Sequence, residues 1–193
     1  MDGKHRSFQE QVEKQPDYRY DVRNEIIINN DTMIFEEEYN VKVLMLNGSA
    51  KANGNTYASL LEVGRQLEKE GIEYEIFQMG GEPVRDCLGC GQCTENGCVF
   101  ADDKVNEFVA KAKEADGFVF GTPVYYAHPS GRVMSFLDRA FYSSGSAAFA
   151  FKPGASVAVA RRGGTTASFD AMNKYFGICQ MPVAGSTYWN QVH

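Results

Sequence analysis

The chain has 193 residues, of which 44% are hydrophobic, and a formal net charge of −6 at pH 7. This length supports one well-packed core, so a second full domain is not expected. The sequence shows no apolar run of about 18 residues, no signal-peptide pattern and no basic stripe, which argues against a membrane-spanning, exported or nucleic-acid-binding protein. We expect a cytoplasmic protein that acts on a small molecule.

The first forty residues differ from the rest of the chain. Residues 1–40 carry ten acidic and five basic residues, whereas 41–193 carry fifteen acidic and fourteen basic ones. Two short apolar runs, 26–28 and 33–35, interrupt the polar stretch. We predict that 1–40 form an N-terminal extension whose apolar runs pack on the body of the protein or on a second subunit; disorder of its first fifteen or so residues is the alternative.

From Val41 onward, short apolar runs alternate with segments that place apolar residues every three or four positions. This pattern predicts an α/β fold in which a parallel sheet carries helices on both faces. The predicted strands cover 41–46, 72–77, 117–121, 155–160 and 183–188. The predicted helices begin near Thr56, after a cap at Asp102 or Asp103, after a cap at Ser130 and at Thr165. Five strands favour the flavodoxin-like order 2-1-3-4-5 of a doubly wound sheet.

The far edge of the predicted sheet is incomplete. A helix after strand five should cover it, yet the sequence stops at His193. Either the sequence ends before that final helix, or the N-terminal extension covers that face instead.

A loop suited to phosphate follows the first predicted strand. Residues 47–56 combine glycines, hydroxyls, amides and one lysine, and they open into a helix N terminus, where backbone N–H groups favour an anion. The loop lacks the P-loop ending and the Gly-x-Gly-x-x-Gly pattern, and strand two ends without an acidic residue for a ribose. A single terminal phosphate, as in FMN, fits best, and an ordinary turn is the alternative. The predicted phosphate contacts are Ser49, Lys51, Asn53, Asn55 and Thr56.

Two further loops follow strands three and four, namely 121–126 (Gly-Thr-Pro-Val-Tyr-Tyr) and 161–166 (Arg-Arg-Gly-Gly-Thr-Thr). Together with the phosphate loop they resemble motifs of the NADPH-dependent FMN reductase family and, within it, of the iron–sulfur flavoproteins. In the first motif Ala50 and Lys51 replace the family's proline and arginine, so a bidentate phosphate contact becomes a point-charge contact. The resemblance covers about 41–193 and implies a flavodoxin-like fold with FMN as cofactor.

The resemblance also implies which residues border the isoalloxazine ring. Tyrosines offer a flat ring both a π-face and a hydroxyl, and arginines with free N–H groups stabilise the negative charge of a reduced flavin. Packing at the rim of the fold and ordinary surface arginines are the alternatives for these residues. The implied ring contacts are Pro123, Val124, Tyr125, Tyr126, Arg161, Arg162, Gly163 and Gly164.

Four of the five cysteines, Cys87, Cys90, Cys93 and Cys98, fall within twelve residues. This cluster is too tight for a disulfide framework, and its spacing, with intervening glycines, suits a [4Fe–4S] cluster better than structural zinc. The resemblance implies that all four are ligands; free or disulfide-forming thiols are the alternative. Cys179 lies in a helical pattern and is predicted to be a buried apolar side chain.

These features predict an enzyme that transfers electrons from NAD(P)H through FMN to a small acceptor such as a quinone or a free flavin. Because hydride transfer to a flavin needs no acid or base, no catalytic side chain is predicted. One alternative is an electron carrier that receives electrons from ferredoxin through the cluster. Another is a flavin-binding redox sensor without catalysis.

The resemblance further implies a homodimer or a dimer-based tetramer with flavin pockets near the subunit interface. The only tryptophan, Trp189, and the two apolar runs of the extension are the predicted contacts, because aromatic residues are enriched in such interfaces. Packing of Trp189 within its own subunit is the alternative.

Overall fold

The computed structural model describes residues 40–144 and 147–185. The predicted extension, apart from Asn40, lies outside these residues, as does the predicted interface residue Trp189. Within the described ranges, no helix is both long enough and apolar enough to cross a membrane.

The sheet is built on four long parallel strands in the spatial order β2-β1-β3-β5. The described strands are β1 (Lys42–Asn47), β2 (Glu73–Gln78), β3 (Gly117–Tyr125), β4 (His128–Pro129) and β5 (Gly154–Val159). β3 in the middle is a continuous apolar run covered on both faces, whereas β2 at the edge alternates with Glu73 and Glu75. The predicted flavodoxin-like fold class is therefore confirmed.

A hairpin at the end of β3 makes the sheet mixed rather than wholly parallel. β3 continues past its predicted end at Gly121 and turns through Tyr126 and Ala127 into the antiparallel strand β4. The two turn residues have φ angles of 53° and 58°. Two successive positive φ angles are typical of the tightest hairpins, whose twist matches that of the strands. The prediction of a purely parallel sheet was wrong at this point.

The predicted strand at 183–188 is described only at its beginning. Val183 forms a single parallel bridge with Gly154 of β5. Gly154 N–H donates to the Pro182 carbonyl and Ala184 N–H donates to the Gly154 carbonyl, both at 2.9 Å. Residues from 186 onward lie outside the described ranges, so the rest of this strand stays a prediction.

The helices are α1 (Asn55–Lys69), α2 (Val105–Lys113), α3 (Gly131–Ser143) and α4 (Thr165–Ile178). The residue directly before α2 is Lys104 rather than the predicted Asp102 or Asp103, although Asp103 Oδ1 accepts the Val105 N–H at 3.1 Å. Ser130 is the residue before α3, but its side chain makes no capping hydrogen bond. Ser130 is thus at the predicted N-cap position, but it is its backbone N–H, not its side chain, that makes a hydrogen bond here, to Thr122 Oγ1 at 3.1 Å.

Helices cover both faces of the sheet. On one face Phe108 of α2 is fully buried, with its ring centroid 5.3 Å from those of Phe77 and Phe136. On the other face Leu60 of α1 packs on Met45 of β1. Because aromatic rings bury much apolar surface, they dominate the packing of the first face. Cys179 is also in the core, as predicted.

Glu75 of β2 joins two lysines. Its carboxylate lies 2.8 Å from Lys111 Nζ and 3.2 Å from Lys42 Nζ. The hydrogen bond from Lys111 is the main cause of a lowered pKa of Glu75; partial burial opposes it and Lys42 adds to it. A carboxyl whose pKa is lower in the folded state stabilises the fold above its usual pKa, and this contribution disappears as the pH falls through the folded-state pKa.

Glu75→Gln should therefore lower the Tm at pH 7, and the difference from the wild type should shrink as the pH falls below about 4.3, the usual glutamate pKa. Thermal unfolding followed by circular dichroism at several pH values measures this. Glu73→Gln, on the same strand but exposed, is the control and should cause a smaller difference. A Tm loss for Glu75→Gln that is equal at all pH values would contradict the ion-pair explanation.

Candidate functional site

The loop after β1 and the end of β3 are in direct contact. Gly48 N–H donates to the Gly121 carbonyl at 2.9 Å. A Cβ on Gly48 would lie 2.1 Å from Val133 Cγ2 and 2.6 Å from the Gly121 oxygen, so only glycine fits there. A Cβ on Gly121 would lie 3.0 Å from Cγ2 of the buried Thr56. The first and second sequence motifs therefore form one surface at the carboxyl edge of the sheet.

Two side chains that were not among the predicted phosphate contacts hold the phosphate loop. Asn47 Oδ1 accepts the Ser49 N–H at 3.2 Å, and Asn47 Nδ2 donates to Gln78 Oε1 at 2.5 Å. Gln78 Nε2 in turn donates to the Ser49 carbonyl at 2.8 Å. These hydrogen bonds define the conformation of the loop. The only sequence signal was a polar residue at the end of β2, directly before Met79.

Three of the four described helices begin at this edge without a side-chain cap. Their N-cap residues are Gly54, Ser130 and Gly164, and none makes a side-chain hydrogen bond to the helix. The first N–H groups of a helix have no intrahelical partner, so these groups remain available to an anion. In α2, by contrast, the Asp103 carboxylate already accepts the first helical N–H, that of Val105. The edge therefore offers backbone donors at the places where the three motifs lie.

The predicted phosphate contacts surround the start of α1. Ser49 and Thr56 are buried, with 7% and 3% of their surfaces exposed. Lys51, Asn53 and Asn55 are exposed. Ser49 Oγ accepts the Lys51 N–H at 3.1 Å, so this hydroxyl already has one partner inside the loop. An uncapped helix start flanked by one cation, two amides and hydroxyls fits a terminal phosphate.

The loops of the second and third motifs pack against each other. A Cβ on Gly164 would lie 2.4 Å from Ala127 Cα and 3.2 Å from Val124 Cγ1, and Gly164 has a φ of +100°. A Cβ on Gly163, by contrast, would have no atom within 4 Å. The turn before α4 therefore packs against the hairpin at Gly164 and leaves open space at Gly163.

The residues implied to border the flavin ring lie on these two loops. Tyr125 and Tyr126 are 59% and 106% exposed, which places two aromatic rings at the surface. Pro123, Val124 and Gly164 are half-buried, and Arg161, Arg162 and Gly163 are exposed. The structure brings these residues to the edge that also carries the phosphate loop. Their contacts with a flavin ring stay predictions.

The first part of the cysteine segment is open. Gly89 and Gly91 have φ angles of 59° and 67°, and a Cβ on either glycine would have no atom within 4 Å. Cys90 between them is exposed, and Cys87 is half-buried. A backbone of this kind can rearrange around sulfur ligands without steric conflict.

Electrostatic interactions link the four thiols. Burial raises the pKa of Cys93, and the neighbouring Cys98, Cys90 and Cys87 raise it further. In the described ranges, no three His, Cys, Asp or Glu side chains are grouped closely enough to hold a metal ion. The donor set of four free thiols on one loop fits a [4Fe–4S] cluster by its chemistry, and the open part of the segment would have to close for all four to bind.

Cys98 is fixed by two residues that were not among the predicted site residues. Asn106 of α2 accepts the Cys98 N–H and donates to the Cys98 carbonyl, both at 2.8 Å. Arg139 of α3 is buried, and its Nε donates to Cys98 Sγ at 3.4 Å. No local pattern predicts these contacts, because both partners belong to helices that follow the segment.

The chain is similar to several known proteins. An iron–sulfur flavoprotein of Methanocaldococcus jannaschii is 34% identical over 148 residues, which cover 75% of this chain and 76% of the relative. An FMN-dependent NADPH-azoreductase of Staphylococcus saprophyticus is 30% identical over 100 residues, 51% of each chain. A flavodoxin from the domain Archaea, 14% identical, has the same fold with a TM-score of 0.51 over 75% of this chain and 78% of that one. Residues 41–193 match the model of the NADPH-dependent FMN reductase family, and the chain belongs to this family of flavin-dependent oxidoreductases.

Proposed function

We propose that this protein is a flavin-dependent oxidoreductase that binds FMN at the carboxyl edge of the sheet and a [4Fe–4S] cluster on the cysteine segment, and that it transfers electrons between the two. The observation that carries this proposal is the pairing of two sites on successive loops: an uncapped helix start after β1, and four thiols within twelve residues after β2. The iron–sulfur flavoprotein relative supports both cofactors.

The phosphate of FMN would be held at the start of α1. Thr56 and Asn55 supply a hydroxyl and an amide on the first turn, and Lys51 supplies a point charge. The Asn47 and Gln78 side chains keep the loop in shape, so little ordering is needed on binding. FMN, when bound, supplies reversible one- and two-electron chemistry at its ring.

The ring would lie beside the hairpin and the turn before α4, next to the open space at Gly163. Tyr125 and Tyr126 offer aromatic faces there. Arg161 and Arg162 contribute positive charge, and the exposed backbone at Gly163 offers an N–H, which together favour the more negative, reduced form of a flavin. These groups tune and orient the cofactor, and no side chain is required to carry a proton.

A second candidate function is the transfer of electrons from NAD(P)H through FMN to a small acceptor. The exposed tyrosine rings favour it, because they leave an open flat surface for a second planar molecule. The azoreductase relative supports it as well. Rapid bleaching of bound flavin by NADPH without ferredoxin would favour this candidate.

The test is the cofactor content of the full chain purified without oxygen. We expect about one FMN and about four iron atoms with matching acid-labile sulfide per chain. Cys90→Ala should lose the iron and keep the FMN, since the phosphate loop is separate from the cysteine segment. Cys179→Ala, a core cysteine outside the segment, is the matched control and should keep both. Full FMN content without iron in the wild-type protein would overturn the proposal of a cluster. Electron transfer from NAD(P)H through FMN to a small acceptor would then remain as the candidate function.

A further inference from the structure

Arg139 lies in an unusual place for an arginine. Its side chain is 1% exposed, although charged side chains are rarely buried unless they are paired. The guanidinium donates in four directions. The acceptors are Cys98 Sγ at 3.4 Å from Nε, Asp103 Oδ2 from Nη1, the Arg85 carbonyl at 3.4 Å from Nη1 and the Phe100 carbonyl at 2.5 Å from Nη2.

These contacts fix the orientation of the guanidinium. Asp103, with 8% of its side chain exposed, binds Nη1 and also accepts the Val105 N–H at the start of α2. The ion pair is therefore anchored to the start of α2. The Nε–H group lies on another edge of the guanidinium and donates its hydrogen bond to Cys98 Sγ.

The sulfur that receives this hydrogen bond is also fixed. Asn106 holds both the N–H and the carbonyl of Cys98, as described above. Thr94 and Gly97 exchange two backbone hydrogen bonds of 2.9 Å just before it. Cys98 is thus held in place by the fold, whereas the stretch around Gly89 and Gly91 is open.

From this geometry we propose that Arg139 is a positioning residue that raises the reduction potential of the cluster through its hydrogen bond to the Cys98 sulfur, and that Asp103 counteracts it. The proposal rests on the [4Fe–4S] cluster of the proposed function. The couple consists of one electron added to the cluster, with no bond to the protein formed or broken. An added electron increases the negative charge on the ligand sulfurs, and a cationic donor stabilises that charge.

Two variants should change the reduction potential in opposite directions, the first relative to the wild type and the second relative to the first variant. Asp103→Asn removes the counter-charge, so the potential should rise; the asparagine oxygen can still accept the Val105 N–H. The double variant Arg139→Gln with Asp103→Asn removes the cation without leaving a buried carboxylate unpaired. Relative to Asp103→Asn, its reduction equilibrium should fall about tenfold, which corresponds to about 59 mV for one electron.

The experiment is a dithionite titration of the full chain, reconstituted with iron and sulfide without oxygen and followed by electron paramagnetic resonance. Arg85→Gln is the matched control: this arginine is half exposed beside the same segment and contacts Asp102 at 3.8 Å, and its loss should change the equilibrium less than twofold. Thermal unfolding of each variant checks the fold.

The outcomes separate this inference from the proposed function. A wild-type protein that takes up no cluster overturns the proposed function and this inference with it. A cluster that forms in all variants with equal potentials in Asp103→Asn and the double variant overturns only the inference. A purely structural role of Arg139 would lower stability and cluster content, but it would not raise the potential in Asp103→Asn and lower it again in the double variant.

Discussion

Gly164→Ala should destabilise the protein and release FMN. The new methyl group would lie 2.4 Å from Ala127 Cα, and the backbone φ of +100° is strained for alanine. Forcing packed groups apart costs about 1–3 kcal/mol, and a side chain in such a backbone conformation costs about as much again. The hairpin must move away from the turn before α4, so Tyr125 and Tyr126 would leave the position at which they are proposed to border the ring.

The neighbouring Gly163→Ala is the matched control for stability, because its methyl group would meet no atom within 4 Å. Chemical denaturation measures the free energy of unfolding of both variants, and flavin absorbance after gel filtration measures the FMN that each retains. Equal stability of the two variants would contradict the close packing of hairpin and turn. If the Gly164→Ala variant is less stable but keeps its full FMN content, the flavin ring does not lie beside the hairpin and this turn.

The same contact explains why the hairpin could not be predicted from the sequence. Tight hairpin turns favour asparagine and glycine, since both central residues need positive φ angles. Tyr126 and Ala127 give no such signal. The turn packs on Gly164, which lies 37 positions further along the chain and whose missing side chain makes room for it. Tertiary packing thus decides a backbone conformation that local propensity disfavours.

The central strand and the helices could be predicted because their patterns are local. Gly117 to Gly121 is apolar throughout, as a strand covered on both faces requires. The three loops could be placed together because strands of a parallel sheet end at one edge. The loops predicted from motifs do meet at that edge.

The residues behind those loops escaped prediction for a different reason. Arg139 gains its burial from partners that lie 36 to 54 positions away in the chain. Gln78 reaches Ser49 across 29 positions. A charged residue on a helix and an amide at a strand end are usually solvent-exposed, so only the fold reveals that both hold the loops proposed to bind cofactors.

Thr56→Val should weaken FMN binding without unfolding the protein. Valine keeps the methyl group that packs beneath Gly121 and removes only the hydroxyl on the first turn of α1. A hydrogen bond to a charged group contributes about 1.5–3 kcal/mol, so the Kd should rise about 10- to 100-fold. Quenching of flavin fluorescence on binding to the protein measures it. Ser59→Ala, one turn further along, is the control, because its hydroxyl donates to the Asn55 carbonyl at 3.0 Å.

Binding of riboflavin, which has no phosphate, shows whether Thr56→Val acts through the phosphate or through the ring site. If Thr56 contacts the phosphate, Thr56→Val should weaken FMN binding and leave the weaker binding of riboflavin unchanged, because only the phosphate loses a donor. An equal loss for both ligands would mean that the substitution disturbs the ring site through Gly121 instead. Unchanged affinity for FMN would show that the phosphate does not lie at the start of α1.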